Sequence, residues 1–194
     1  MMKIKIDPDA KGLIFDLDGT LADSMPIHFK AWRLTAAENG FDYTEKQFLD
    51  TAGMPTHKIV TVINKELGFS LDPAKFSRRK EEIFLQNIKD LKVIKPVADI
   101  VREYHNRLPM SIGTGGKKEI AWLTLKILGL DKYFDIVVSA EDVENHKPNP
   151  DTFLKCAELM KVAPEYCQVF EDGEMGLLAA NRAGMIVTDV RPYL

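Results

Sequence analysis

Apolar residues along this chain keep two different rhythms. Near the start, Leu13-Ile14-Phe15 is an unbroken apolar run that ends at Gly19, the pattern of a short buried strand. After Thr20 the period becomes helical and stays so for about seventy residues. Asp23 or Ser24 is placed to cap a first helix, with Pro26 in its first turn, Ile27, Ala31 and Leu34 along one face, and Gly40 as its stop. Three more helices are expected over 44–51, 56–67 and 73–88, the middle one marked by Ile59, Val60, Ile63 and Leu67. Gly53-Met54-Pro55 and Leu71-Asp72-Pro73 break the pattern between them.

From about Pro96, helices and apolar strands alternate. A helix over 97–107 leads to a strand over 110–114, and a helix with Ile120, Leu123, Ile127 and Leu128 stops at Gly129. A strand over 136–139 follows, then a helix carrying Phe153, Cys156, Ala157 and Met160, and a strand over 167–171. Met175, Leu178, Ala179 and Ala183 line a last helix up to Gly184, and a strand over 185–190 ends the chain. Such alternation predicts an α/β fold with a Rossmann-like parallel sheet core and helices on both faces. The first strand has nothing else to pair with, so it belongs to that sheet. The expected division is a core of 1–22 and 92–194 with a helical insert of 23–91.

Composition narrows the class. The 194 residues suit one domain, or one domain carrying a smaller insertion, and 45% hydrophobic content is enough for a core. With 26 basic and 29 acidic residues the net charge is only −3, which gives no reason to expect nucleic acid or a membrane as partner. Cys156 and Cys167 have no CxxC spacing and fit burial in a reducing compartment better than a disulfide or a zinc site. No apolar run reaches membrane-spanning length, and the Met-Met-Lys-Ile-Lys-Ile-Asp start lacks the apolar core of a signal peptide. The expectation is a cytoplasmic monomer.

Polar residues stand at four strand ends, the edge at which open parallel sheets bind ligands. The first end carries Asp16 and Asp18, which share a face if the strand continues through both. The second carries Thr114 in Gly113-Thr114-Gly115-Gly116, and the loop after the third carries His146-Lys147-Pro148-Asn149-Pro150. The fourth ends in Glu171-Asp172-Gly173. Taken singly, each has a bland reading: an Asp-Gly turn, a helix-capping Thr114, a solvated Lys147, an acidic turn. Together, in successive order, they offer carboxylates in excess, which suits a hard divalent cation, and a hydroxyl, backbone N–H groups and a lysine, which suit a phosphate. Gly-Thr-Gly-Gly is not the dinucleotide fingerprint, so no nucleotide cofactor is expected.

Phe15-Asp16-Leu17-Asp18-Gly19-Thr20, Thr114, Lys147-Pro148 and Glu171-Asp172 resemble, in order, the four motifs of the haloacid dehalogenase superfamily of phosphohydrolases. The insert is similar to that superfamily's small α-helical cap. Asp23-Ser24, His28-Phe29-Lys30-Ala31-Trp32 and His146 to Asp151 resemble its β-phosphoglucomutase-like branch, and the run from Ile112 to Val190 is similar to the fructose-1-phosphate phosphatases of that branch. The resemblance implies Asp16 as nucleophile, Asp18 as general acid and then base, and Thr114 and Lys147 as phosphate ligands. It implies Mg²⁺ on Asp16, the Asp18 carbonyl, Asp172 and Glu171. A carboxylate facing a phosphate dianion at about 4 Å meets roughly 8 kcal/mol of repulsion at an effective dielectric of 20, which Mg²⁺ and Lys147 are needed to cancel.

Substrate choice falls to the cap. His28 and Trp32 lie four apart on one helical face, and Lys80 matches a cap lysine that meets substrate in the family. The alternatives are a surface histidine and a solvated basic patch at Arg78-Arg79-Lys80. Gly115 and Gly116 complete the expected substrate contacts, with Thr56. The family's mutases place an arginine at the position of Thr56, in a loop that here reads Gly53-Met54-Pro55-Thr56. That favours a phosphatase acting on a small phosphomonoester over a β-phosphoglucomutase. A non-catalytic phospho-receiver is a more distant reading, because it needs neither Asp18 nor an insert.

Overall fold

The computed structural model describes residues 3–51 and 54–194, so Gly53 of the expected break lies outside the described residues. The strands are β1 (Gly12–Phe15), β2 (Met110–Gly113), β3 (Val137–Val138), β4 (Cys167–Glu171) and β5 (Ile186–Asp189). They form one sheet in the order β3-β2-β1-β4-β5, with every pairing parallel. As the central strand, β1 is buried on both faces, which is why its sequence is apolar throughout instead of alternating.

Side chains alternate along β1 and divide the core between two layers of helices. Leu13 and Phe15 pack with Val97 and Val101 of α5 (Lys95–Tyr104) and Leu125 of α6 (Lys118–Ile127). Ile14 packs on the other face with Phe153 and Ala157 of α7 (Asp151–Met160) and Ala179 of α8 (Glu174–Arg182). Phe15 sits opposite both Ile112 and Phe170, so β1, β2 and β4 end level with one another. That register brings the residues after them into one place.

Between β1 and α5 the chain runs through α1 (Met25–Glu38), α2 (Glu45–Asp50), α3 (Thr56–Leu67) and α4 (Pro73–Asn87). These helices have a core of their own, including Trp32, Phe48, Ile59, Val60 and Phe76. A second cluster, with Ile27, Ala31, Ile83 and Phe84, packs against Ile120 and Leu128 and so joins them to the sheet layer. The outgoing and returning segments are tied together. Ala22 bridges Val93, the Asp23 N–H donates to the Lys92 carbonyl at 2.9 Å, and the Ile94 N–H donates to the Leu21 carbonyl at 2.8 Å. No helix among the described residues is long and apolar enough to cross a membrane.

Three local expectations change. The first strand ends at Phe15, because the Leu17 carbonyl accepts from both Leu21 N–H (3.0 Å) and Ala22 N–H (2.8 Å) and turns the chain back. Strand alternation is therefore not what puts Asp16 and Asp18 on one cavity; the turn does that. Leu34 (45% exposed), Leu67, Ile127 and Leu178 face outwards, although each fits a helical stripe. In α8 the buried positions are Gly176, Ala179 and Ala180, small residues that let the helix lie close to the sheet. Ser24 precedes α1, but its side chain makes no capping bond.

Phe170 is fully buried and stacks on Phe15 with ring centroids 4.8 Å apart. Phe170→Ala is expected to cost about 3–5 kcal/mol of stability by urea denaturation. A loss under about 1 kcal/mol would show that this pair is not the sheet's packing centre.

Candidate active site

The level ends of β1, β2 and β4 deliver Asp16, Thr114 and Glu171 to a cavity of about 130 Å³ roofed by the α1–α4 helices. Asp16 continues the ladder by one bond, its N–H donating to the Phe170 carbonyl at 3.0 Å. Lys147, in the loop before α7, donates to Asp16 Oδ1 and to Glu171 Oε2, each at 2.7 Å. All three side chains are almost wholly buried. Thr114 is buried too, and its hydroxyl accepts from the Gly116 N–H at 3.0 Å, which leaves its own proton for the cavity. Thr114 is thus no helix cap; Lys117 occupies that position for α6.

Asp16, Glu171 and Asp172 each offer a carboxylate oxygen, and these oxygens lie within 4.8 Å of one another. Burial pushes the Glu171 carboxyl up to about 8 and that of Asp172 to about 6, the charge of Asp16 adding to both. Burial likewise raises Asp16, outweighing the attraction of Lys147. One ammonium does not neutralise three crowded acids. A hard divalent cation fits this all-oxygen, under-compensated set, and Mg²⁺ is the natural candidate. Within the set the acids differ. Glu171 is engaged through both oxygens, Oε1 accepting from the N–H groups of Asp172 (3.2 Å) and Gly173 (2.9 Å). Asp172 is held more loosely, its Oδ1 accepting from the Thr20 hydroxyl at 2.8 Å. Gly19, at φ 92°, makes room for it, since a Cβ there would fall 2.2 Å from Asp172 Oδ2.

Asp18 is held from the cap side. Its Oδ1 accepts from the Ser24 hydroxyl at 2.6 Å and lies 3.2 Å from His28 Nε2. Lys80 Nζ donates to His28 Nδ1 at 2.8 Å, which makes His28 the neutral tautomer with its proton on Nε2, facing Asp18. Burial alone would raise the Asp18 carboxyl, but the positive charge of the His28–Lys80 pair and the hydrogen bonds from His28 and Ser24 hold it low, at about 2. Burial also lowers His28, and brings Lys80 down to about 8. The ring of His28 stacks on Phe84 with centroids 4.1 Å apart. Lys80 is therefore a buried member of the site and not a solvated surface charge.

Trp32 is 2% exposed and stacked on Tyr43, so it serves mainly as core of the helical roof and reaches the cavity only at its wall. Thr56, Gly115 and Gly116 also line the cavity. Reasoning from sequence missed Ser24 as a partner of Asp18, Thr20 as a partner of Asp172, and the apolar wall of Met25, Phe48, Met54 and Ile59. Ser24 occupies a helix-capping position in the sequence, and the wall residues carry the same periodicity as core.

A family profile of haloacid dehalogenase-like hydrolases matches residues 13–190, and the chain belongs to that family. It is 44% identical over 180 residues to the fructose-1-phosphate phosphatase YqaB of Escherichia coli, covering 93% of this chain and 96% of that protein. It is 31% identical over 179 residues to a phosphorylated carbohydrates phosphatase of Thermotoga maritima, covering 90% and 82% respectively. A solved β-phosphoglucomutase of Clostridium difficile superposes with a TM-score of 0.83 at 26% identity, over 93% of this chain and 84% of that one. The family that the four motifs resemble and the α/β fold expected from the alternation of helices and strands are thus both found.

Mg²⁺ is expected to raise the thermal midpoint of the wild-type protein, and Asp172→Ala to abolish that rise. Without metal, the variant should be no less stable than wild type, because one of three repelling carboxylates is gone. An unchanged Mg²⁺ response in Asp172→Ala would misplace the metal.

Proposed function

We propose that this protein is a Mg²⁺-dependent phosphatase that hydrolyses a small sugar phosphate, with fructose 1-phosphate as the type substrate, through an aspartyl-phosphate on Asp16. The observation that carries the reading is the buried contact of Lys147 with Asp16 beside the free proton of Thr114, at the edge of the acidic set. The names of the phosphatase relatives agree with it. The proposal assigns the core to 1–22 and 92–194 and the cap to 23–91, and takes the acting unit as a cytoplasmic monomer. The two cysteines, free and buried, suit such a setting.

In this mechanism Lys147, Thr114 and the backbone N–H of Gly115 hold the phosphate oxygens, while the Gly116 N–H orients the Thr114 hydroxyl. Bound Mg²⁺, held by Asp16, Asp172, Glu171 and the Asp18 carbonyl, supplies positive charge that offsets repulsion between Asp16 and the phosphate dianion. Asp16 attacks phosphorus as the bond to the sugar oxygen breaks, and Asp18 gives that oxygen its proton. Asp18, now ionised, then takes a proton from water, whose oxygen attacks phosphorus and releases Asp16. In the free protein Asp18 is held in the base form by Ser24, His28 and Lys80. An arriving phosphate dianion raises its proton affinity, so the acid form belongs to the substrate complex.

Asp16→Asn is expected to abolish both turnover and covalent phosphate labelling, since an amide is a poor nucleophile. Asp18→Asn should keep the fold and lose about 10²–10⁴ in turnover. Steady-state activity in pure Asp16→Asn protein would sink the aspartyl-phosphate route.

A mutase reading has one observation in its favour, the structural likeness to a β-phosphoglucomutase. A mutase must also grip the phosphate that is not reacting. Thr56 stands where the family's mutases place arginine, so a five-donor fork has become one hydroxyl. Gly115-Gly116-Lys117 departs from the mutase loop as well. β-Glucose 1-phosphate given with a trace of the bisphosphate should therefore yield little glucose 6-phosphate, while fructose 1-phosphate releases inorganic phosphate. Glucose 6-phosphate forming faster than free phosphate in a coupled assay would establish the mutase.

A further inference from the structure

We propose that Phe153 is a positioning residue for Lys147, its ring face fixing the ammonium that meets the phosphate; the functional part of this rests on the phosphatase reading above. Phe153, on α7, is fully buried in the layer beneath the sheet, where any large apolar residue would fill space. Its orientation is more specific than that. Lys147 Nζ lies 4.6 Å from the centroid of the ring, within the range of a cation–π contact. The contact is desolvated on both sides, which is where such attraction is strongest.

The ammonium has three N–H donors, and Asp16 and Glu171 take two of them. Two carboxylates alone do not fix its height, and any water admitted beneath it would compete for the third donor. A ring on that side excludes water and attracts the cation without accepting a conventional hydrogen bond, so the third donor stays available to a phosphate oxygen. The backbone makes room for this arrangement. A Cβ on Gly113, at the end of β2, would come within 3.1 Å of two ring carbons, so glycine there keeps the ring in place under Lys147.

The test replaces Phe153 with phenylalanines bearing one, two and three ring fluorines, which drain the negative face while nearly preserving shape, and with Leu in a separate variant. The first readout needs no turnover: in ¹⁵N-lysine-labelled protein, the Lys147 ammonium protons should resonate upfield of their position in Phe153→Leu. The second is kcat/KM for fructose 1-phosphate together with the inhibition constant of inorganic phosphate. Both should weaken stepwise with fluorine number, by about tenfold over the series, at nearly constant unfolding midpoint. An ammonium resonance indifferent to the ring would overturn the proposal. So would flat kinetics across the series, or losses that merely follow stability. Should the native protein show the shifted resonance yet hydrolyse nothing, the phosphatase reading falls and the ring–ammonium contact stands.

Discussion

One buried ammonium among buried carboxylates is the constraint on which this structure turns. Lys147 bridges Asp16 and Glu171 at 2.7 Å each, across a junction that joins the ends of β1 and β4 to the loop before α7. Removing the charge would leave uncompensated acids that are almost wholly buried, a large penalty in a protein interior. Even with it, Asp16, Glu171 and Asp172 remain crowded enough that burial raises all three. The sheet register forces the acids together, and that crowding is what makes a divalent cation welcome. Fold and chemistry are linked there by charge balance.

The roof of helices adds a second electrostatic device to the first. Lys80, His28 and Ser24 form a relay onto a single oxygen of Asp18, each member delivered by a different part of α1 and α4 or the turn before them. The same helices present Met25, Phe48, Met54 and Ile59 to the cavity as an apolar wall. In the proposed reaction, core residues address phosphate and metal, and the roof addresses the proton on Asp18 and the body of the leaving group. The tie between Ala22 and Val93, at the base of the roof, keeps the two sets in register.

Much of the sheet side of the site was legible in the sequence because its chemical residues follow apolar strands. Asp16, Thr114, Glu171 and Asp172 stand at such ends, with Lys147 in the loop between β3 and α7, and a parallel sheet brings such ends together. What was not legible depends on direction and burial. Ser24 sits where a helix cap belongs, but its hydroxyl is diverted to Asp18. Lys80 lies in a basic run, and only tertiary packing shows that it is buried against His28. Leu34 and Leu178 fit apolar stripes that the helices do not use, because small residues nearby allow closer approach. Trp32 shares a face with His28, yet its ring is spent mostly on Tyr43 and Phe76.

The most direct test of the central claim is a crystal structure of the protein with Mg²⁺ and beryllium fluoride, which mimics a phosphoryl group on a carboxylate. The account predicts beryllium fluoride on Asp16, fluorines contacted by Lys147 and Thr114, and Mg²⁺ held by Asp16, Glu171, Asp172 and the Asp18 carbonyl. Beryllium fluoride on another side chain, or Lys147 still bound only to Asp16 and Glu171 with no contact to fluorine, would contradict it.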